Sequence, residues 1–468
     1  MSKNVPLLEE VLKYKKENNL ILSMPGNKSG IGFLRDDIGK EFVSNMGFLD
    51  ITEVDPLDNL HCPEGVIKEA QELLAKTYGV KKAYFTVNGS SGGNLACIFD
   101  AFNEGDEVLV ERNCHKSIYN GLILRKLKVK YIEPVIYEDK GLFLPPNEEK
   151  IYKAIEECDN PKGIILTYPN YFGISYDISK ILVDLKKKGF KIIIDGAHGA
   201  HYGFSKKLPK SIVKFADYTV ISAHKTLPSL TQGSYLLVNE DNNIEFYLRA
   251  FMTTSPSYLI MSSLDYGRYY LDNYSDKDYN NLIHLSEEWS VKINSLNKIT
   301  ILKEEDLPSN YNLDLSRYVI TLDKEYSGHK LLDYFRSKKI QCEMSFASGV
   351  VLILSPFNID KDFEKIYLAI EELDIEKLKD NHYQNYFDII PEKIMEPYEV
   401  FDKKYEIVKI GDSVGKVAKE SLIPYPPGIP LVCPGEVISK EAVSIIEDYI
   451  NNKKTVIGIE DNYIKIIK

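Results

Sequence analysis

Lys191-Ile-Ile-Ile-Asp195-Gly-Ala-His198-Gly-Ala-His201, followed further on by Tyr218-Thr-Val-Ile-Ser222-Ala-His224-Lys225, is the stretch on which the reading of this chain turns. Each half is a short apolar, β-branched run that stops at a cluster of small and polar residues. Such runs suit strands buried on both faces, as in a parallel sheet covered by helices. Asp195 then stands at the C-terminal edge of one strand, where open α/β sheets place their ligands, and Lys225 follows the next strand. A plainer account makes the aspartate a turn or N-cap residue and the lysine a solvated surface charge. Asp195, His198 and His201 also write out as a metal triad, but no second ligand-rich cluster accompanies them.

The pattern repeats on either side. Ala83–Val87, Glu107–Val110, Gly163–Thr167 and Ser234–Val238 read as further strands separated by helical stretches. Within 64–79, Val66, Ile67, Ala70, Leu73, Leu74 and Tyr78 follow helical spacing, and Gly79 is a stop. Ala83–Val87 runs directly into Asn88-Gly-Ser90-Ser91-Gly92-Gly-Asn94, with a helical pattern from about Leu95. Glycines let a backbone approach a phosphate, serines add donors, and a helix N-terminus supplies free N–H groups. Alone, such a segment is more often just a turn. Together, a phosphate-type loop, a strand-end carboxylate and a strand-end lysine are the parts of a pyridoxal 5'-phosphate (PLP) site. A neutral lysine amine can form a Schiff base with the aldehyde, and a carboxylate can keep the pyridine nitrogen protonated.

Beyond this region, Leu282–Leu296 reads as a helix able to link two domains. Arg317–Leu322 reads as a strand, His329–Lys338 as a helix, Gln341–Ser345 and Val350–Leu354 as strands, and Lys361–Leu373 as a helix, which makes a small α+β domain. Ile423-Pro-Tyr-Pro-Pro-Gly-Ile-Pro430 is expected to be a shaped loop. The expected division is an N-terminal segment 1–50, a cofactor-binding large domain 51–295, a small domain 296–380 and a C-terminal domain 381–468. The fold class expected is α/β, with a mostly parallel sheet in the large domain.

A chain of 468 residues is long enough for two or three domains. With 58 Lys+Arg against 69 Asp+Glu, the net charge of -11 repels polyanions and gives no nucleic-acid footprint. Six cysteines without a C-x-x-C pair point to neither a zinc site nor a disulfide framework, and a reducing cytoplasm is the simplest home. No apolar run approaches the roughly 20 residues needed to span a bilayer, and the N-terminus does not read as a signal peptide.

Several further motifs bring out a resemblance. They are Met24-Pro-Gly-Asn27-Lys28, Asp50-Ile-Thr-Glu53, Leu57-Asp-Asn-Leu-His61 with Pro63-Glu-Gly65, and Arg112-Asn-Cys-His115-Lys-Ser117. Gln232, Thr254-Ser255-Pro-Ser-Tyr258, Tyr425-Pro-Pro-Gly-Ile-Pro430 and Pro434-Gly-Glu436 complete the set. In this order, with the two strand-end clusters, the chain resembles the bacterial ornithine/lysine/arginine decarboxylases, in particular the short form similar to biosynthetic arginine decarboxylase. The resemblance covers nearly the whole chain. It implies fold type I, like aspartate aminotransferase, with small α+β and C-terminal α+β parts.

Carried over position by position, the resemblance implies that Lys225 is the Schiff-base lysine and that Asp195 pairs with the pyridine nitrogen. It implies that His115 stacks on the ring, that Ala197 packs on its other face, and that Ser90, Ser91, Ser222 and His224 hold the phosphate. His198 is expected near the ring oxygen or the substrate. Where relatives usually carry a histidine, this chain has Asn27. Gly92 replaces a hydroxyl residue of the phosphate loop, which leaves its backbone N–H and removes about 0.5–1.5 kcal/mol of hydrogen bonding. The expected reaction is decarboxylation of a basic amino acid, with arginine before lysine and ornithine, in polyamine metabolism. Glu436 is a candidate for the far end of that substrate, with helix capping as its alternative. Thr254 and Ser255 are candidates to reach a partner subunit's cofactor in a homodimer, or else belong to the cap of the next helix. Two other readings are a PLP aminotransferase or lyase, disfavoured by the lack of a clear arginine clamp, and a non-catalytic regulator or scaffold.

Overall fold

The computed structural model describes residues 5–240, 243–380, 390–425, 430–451 and 454–468. Seven strands make the first sheet: β1 (Lys82–Thr86), β2 (Glu107–Glu111), β3 (Lys128–Ile132), β4 (Pro161–Thr167), β5 (Lys191–Asp195), β6 (Tyr218–Ile221) and β7 (Ser234–Val238). Their order is β1-β7-β6-β5-β4-β2-β3. All neighbours from β6 to β3 are parallel, and β7 alone runs antiparallel, to β6 on one side and β1 on the other. Ile192, Ile193, Ile194, Val220, Leu236 and Val238 are wholly buried, as helices on both faces require. Strand β3 escapes the sequence reading because Lys-Val-Lys-Tyr-Ile is the alternating, half-wet pattern of a sheet edge and not an apolar run.

The helices that matter here are α1 (Val66–Tyr78), α2 (Gly89–Ala101), α3 (Lys116–Arg125), α4 (Ala223–Thr226), α5 (Ser275–Asn294), α6 (Gly328–Ser337), α7 (Asp360–Glu371) and α8 (Lys440–Asn451). Gly79 closes α1 with φ +66°, the left-handed stop its position in the sequence implies. Helix α5 begins well before Leu282 and buries Tyr279, Leu282, Ile283, Trp289 and Ile293 against the second sheet.

That sheet contains β8 (Thr300–Ile301), β9 (Arg317–Thr321), β10 (Met344–Phe346) and β11 (Gly349–Ile353), all antiparallel, in the order β8-β9-β11-β10. The single strand expected over Gln341–Ser345 is broken at Glu343, whose Oε2 accepts the Met24 N–H at 2.9 Å. Ile340–Cys342 before the break pairs in parallel with Leu20–Leu22, which ties the N-terminal segment to this layer.

The C-terminal part has its own core, in which Ala442, Val443, Ile445 and Ile446 of α8 pack on Ile464 and Ile466. Two ribbons frame it: Tyr405–Lys409 with Tyr463–Ile467, and Ile423–Tyr425 with Thr455–Ile457. The Pro-rich stretch is therefore not loop throughout. In a two-stranded ribbon Pro424 breaks no central ladder, so extended backbone tolerates it. Positions 426–429 of that motif, and 381–389 at the start of the C-terminal part, lie outside the described residues.

Candidate active site

The C-terminal ends of β2, β4 and β5, together with the residues after β1 and β6, face one cavity of about 300 Å³. Thr167 and Asp195 are register partners on adjacent strands, and Glu111 ends the strand beyond. Asp195 is 2% exposed. Its Oδ1 accepts the Ala197 N–H at 3.1 Å, and its Oδ2 accepts from Asn94 Nδ2 at 3.1 Å. Both donors are neutral, and among the described residues no lysine or arginine bonds this carboxylate. A buried carboxylate so compensated is suited to hold a proton on a ring nitrogen.

Asn94 is a polar residue that the sequence reading passes over. It is 1% exposed in α2, and its Nδ2 also donates to Ser117 Oγ at 3.0 Å. Ser117 Oγ lies 2.8 Å from His115 Nδ1, which in turn accepts the Ser117 N–H at 3.2 Å. His115, the N-cap of α3, is thereby joined through Ser117 and Asn94 to Asp195. A buried asparagine costs stability unless bonded, so its place one turn into a helix that faces strand ends was the available signal.

The Gly-Ser segment is not a loop before the helix; it is the helix start. Helix α2 begins at Gly89, whose φ is +75°, and not near Leu95. Glycines are poor helix formers, but here packing overrides propensity: a Cβ on Gly93 would lie 2.9 Å from Val220 Cγ1 on β6. Ser90 and Ser91 line the cavity in the first turn, where N–H groups are free of intrahelical bonds. Ser222 Oγ donates to Ser90 Oγ at 2.8 Å, and His224 is anchored by its N–H to Gly233 O at 3.2 Å. Gly92 is buried one residue further on and does not line the cavity, whereas Gln232, with φ +68°, does. This donor set fits a phosphate.

Lys225 lies on the one-turn helix α4 and not in an open loop. The N-terminal motif packs on that turn. Gly26 N–H donates to His224 O at 2.7 Å, and a Cβ on Gly26 would lie 2.5 Å from the Thr226 carbonyl carbon. Asn27 turns away from the cavity: its Nδ2 donates to Ser229 O at 2.8 Å and its Oδ1 accepts the Gly30 N–H at 3.0 Å. It shapes the turn, and no titratable group at this position faces the cavity. Lys225 Nζ lies 2.9 Å from His198 Nε2 and 5.7 Å from the centre of the Tyr171 ring. Burial lowers the Lys225 pKa to about 8, against the pull of Asp195 and Glu343. Burial, then the charges of Lys225 and Arg317, push His198 well below the ordinary histidine range. The pair is thus a neutral imidazole beside a readily neutralised amine, as a nucleophilic lysine needs.

Glu111 is a second lining residue that the sequence reading missed. It is 2% exposed, and its Oε2 accepts the Thr167 N–H at 2.8 Å. Burial pushes its carboxyl up to about 7 against that hydrogen bond, and Asp195 adds to the rise. A carboxyl with a raised folded-state pKa contributes stability below its unfolded pKa, and that contribution is lost as pH climbs through about 7. Glu111→Gln cannot ionise. The stability of the cofactor-free variant relative to the parent should therefore improve by about 2 kcal/mol between pH 5 and pH 8, read from urea unfolding. A pH-independent difference would mean that Glu111 is not a buried, perturbed acid.

The substrate candidate Glu436 and the partner-subunit candidates Thr254 and Ser255 do not line the cavity. Glu436 is wholly buried in the C-terminal part, bonded to Arg112 Nη2 at 2.8 Å, and α8 is capped instead by Ser439 Oγ. Thr254 and Ser255 are exposed and line no part of it. Their loop is tethered to its rim by the Thr253 N–H, 3.4 Å from Asn88 Oδ1, and Ser257 caps the following helix. His201 also turns inward, with Nε2 2.9 Å from Asp314 Oδ2. Among the described residues no cluster is arranged to hold a metal ion, and no helix is long and apolar enough to cross a membrane.

Residues 5–312 match the Orn/Lys/Arg decarboxylase major domain, and residues 378–457 match the C-terminal domain of the same family. The chain belongs to the Orn/Lys/Arg decarboxylase family. An uncharacterized protein of Bacillus subtilis, YaaO, is 32% identical over 97% of this chain and 96% of its own length. The arginine decarboxylase of Halalkalibacterium halodurans is 30% identical, with 99% of this chain and 97% of the relative covered. The constitutive lysine decarboxylase structure from E. coli superposes with a TM-score of 0.78 at 19% identity, covering 99% of this chain and 82% of that one. The family member described here is a PLP-dependent enzyme of fold type I, and its cofactor is pyridoxal 5'-phosphate.

Proposed function

We propose that this enzyme is a lyase that decarboxylates arginine to agmatine for polyamine synthesis, with lysine and ornithine as the next substrates. The observation that carries the reading is the buried Lys225–His198 pair beside Asp195, in a chain that matches an arginine decarboxylase along almost its full length. In this assignment Lys225, Asp195, His115 and His198 are the catalytic residues. Ser90, Ser91, Ser222 and His224 hold the phosphate, Gly92 supports their turn, and Ala197 packs on the ring.

PLP, when bound, supplies the electron sink for the pair left at Cα as CO2 departs. The rest is work for the chain. Asp195 keeps the pyridine nitrogen protonated, an electrostatic aid that peaks as charge develops. Lys225 presents a neutral Nζ, and His198, with Nε2 2.9 Å away, holds that amine in place. The first turn of α2 orients the phosphate end, and the walls of Phe143, Leu144, Tyr171 and Phe172 shield the reacting centre from water. Among the described residues no arginine lines the cavity, and the donors of nearby Arg317 go to protein acceptors. Among the described residues no guanidinium fork is thus free to hold an α-carboxylate, which favours loss of that group over transamination.

The assignment includes a large domain 51–295, a small domain 296–380, a C-terminal domain 381–468 and an N-terminal segment 1–50, in a cytoplasmic homodimer or higher homo-oligomer. Supporting self-association, the helix Pro6–Lys16 buries none of its residues, and Leu7, Leu8, Val11 and Leu12 are exposed on it. The decisive experiment is incubation of the PLP-loaded enzyme with arginine, lysine and ornithine. CO2 with agmatine from arginine, at the highest kcat/KM of the three, is the expected result. A keto acid in place of CO2 would overturn decarboxylation, and a better rate with lysine would overturn the substrate.

A further inference from the structure

We propose that Arg317, contributed by the second sheet, is a positioning residue that keeps His198 neutral and selects the ring tautomer facing Lys225. The inference rests on Lys225 being the Schiff-base lysine and adds a device that sets when its amine is reactive. Arg317 opens β9, and its side chain is completely buried. It reaches across to the loop after β5, where Nη2 donates to His198 O at 3.0 Å. Nη1 donates to Tyr171 O at 2.9 Å and lies 3.4 Å from His198 Nδ1. Nε points to Asp314 Oδ2 at 3.4 Å. Asp314 is held in place by Ser316, whose Oγ and N–H donate to Oδ1 at 2.6 and 3.0 Å, and by His201 Nε2 at 2.9 Å from Oδ2.

The chemistry follows from what each nitrogen can do. A guanidinium has only donors, so the ring nitrogen that meets it must offer a lone pair. Nδ1 is then unprotonated, and the neutral ring carries its hydrogen on Nε2, 2.9 Å from Lys225 Nζ. That Nε2–H needs an acceptor, and an amine has a lone pair where an ammonium has none. The arrangement therefore favours the neutral amine, the form that attacks an aldehyde. An ammonium at Lys225 would instead donate to Nε2 and force the ring hydrogen onto Nδ1, against Arg317. Lys225, Arg317, His115 and His224 all add positive potential at His198, whose ring centre lies 4.5 Å from that of Tyr171. The acids around the pair are Asp195 and Glu343, which act on Lys225, Glu111 on the cavity wall, and Asp314 beyond Arg317.

The test reads capture of PLP by the cofactor-free protein, followed as growth of the visible absorption band from pH 6 to pH 10. Arg317→Gln should move the half-maximal pH for capture upward by about one unit, a tenfold fall in the reactive fraction at neutral pH. Arg317→Lys, which keeps a charged donor, should stay near the parent. His198→Phe leaves Arg317 in place but removes the Nε2–H, and should shift the midpoint upward as well. That second variant keeps the test decisive if Arg317→Gln does not fold. An unchanged midpoint in either Arg317→Gln or His198→Phe, with rates merely scaled down, would overturn the proposal. An equal shift in Arg317→Lys and Arg317→Gln would do the same. Absence of any band in the parent would defeat the Lys225 assignment itself, so the two failures are distinguishable.

Discussion

Lys225→Ala is expected to lower turnover by about four orders of magnitude and to abolish the visible band of the cofactor-bound protein. The size of the effect follows from how much is built around this amine. Helix α4 is a single turn, seated against the backbone of Gly26 with no room for a side chain there. Its lysine is buried beside a neutral imidazole at 2.9 Å and has its pKa lowered to about 8. Among the described residues no other lysine lines the cavity, so none of them offers a second amine to replace it. Noncovalent PLP binding should survive in part, because the serine hydroxyls and the start of α2 are untouched. The measurement is an absorption spectrum of the reconstituted variant beside its steady-state rate. A persistent band, or turnover above about a hundredth of the parent, would place the Schiff base elsewhere.

Glu436→Ala should lower unfolding free energy by about 3–5 kcal/mol, the usual cost of stranding one member of a buried ion pair. Arg112 and Glu436 have side chains 4% and 0% exposed, 2.8 Å apart. The same Glu436 Oε2 accepts the Cys433 N–H at 2.6 Å, while Arg112 also reaches Tyr119 Oη at 2.9 Å and Leu431 O at 3.3 Å. Removing the carboxylate leaves a guanidinium buried without a counter-charge and a backbone donor without a partner. The damage should extend to activity, since Tyr119 Oη donates to Arg112 O at 2.5 Å and the backbone runs on from Arg112 to His115. Glu436→Gln keeps the shape and an acceptor, and should cost less. Denaturant unfolding of parent and variants decides the matter. An alanine variant within about 1 kcal/mol of the parent would show that Glu436 is not the counter-ion of Arg112, and would reopen its role at the substrate.

Most of the first sheet was legible because burial on both faces demands unbroken apolar strands, and Lys191–Asp195 and Tyr218–Ile221 are such strands. The edge strand Lys128–Ile132 was not, since one wet face restores alternation with lysine. The start of α2 was misplaced because close packing of Gly93 on Val220 outweighs the low helix propensity of glycine and serine. Asn94, Glu111 and Arg317 passed unnoticed for a common reason. Each looks ordinary in its own segment and acquires its meaning from partners far along the chain: Asp195, Thr167 and His198.

The amino-acid order alone thus determined the strand that Asp195 ends, the strand that Lys225 follows and the glycine-serine segment before them, because local composition dictates where buried strands stop. Tertiary structure decided the rest. It reversed β7, turned Glu436 from a substrate candidate into the counter-ion of Arg112, drew Asn27 away from the cavity, and brought Arg317 from a second sheet to His198. These are matters of which distant groups share one low-dielectric space, where an unpaired charge or donor is costly. Neither local propensity nor spacing along the chain carries that information.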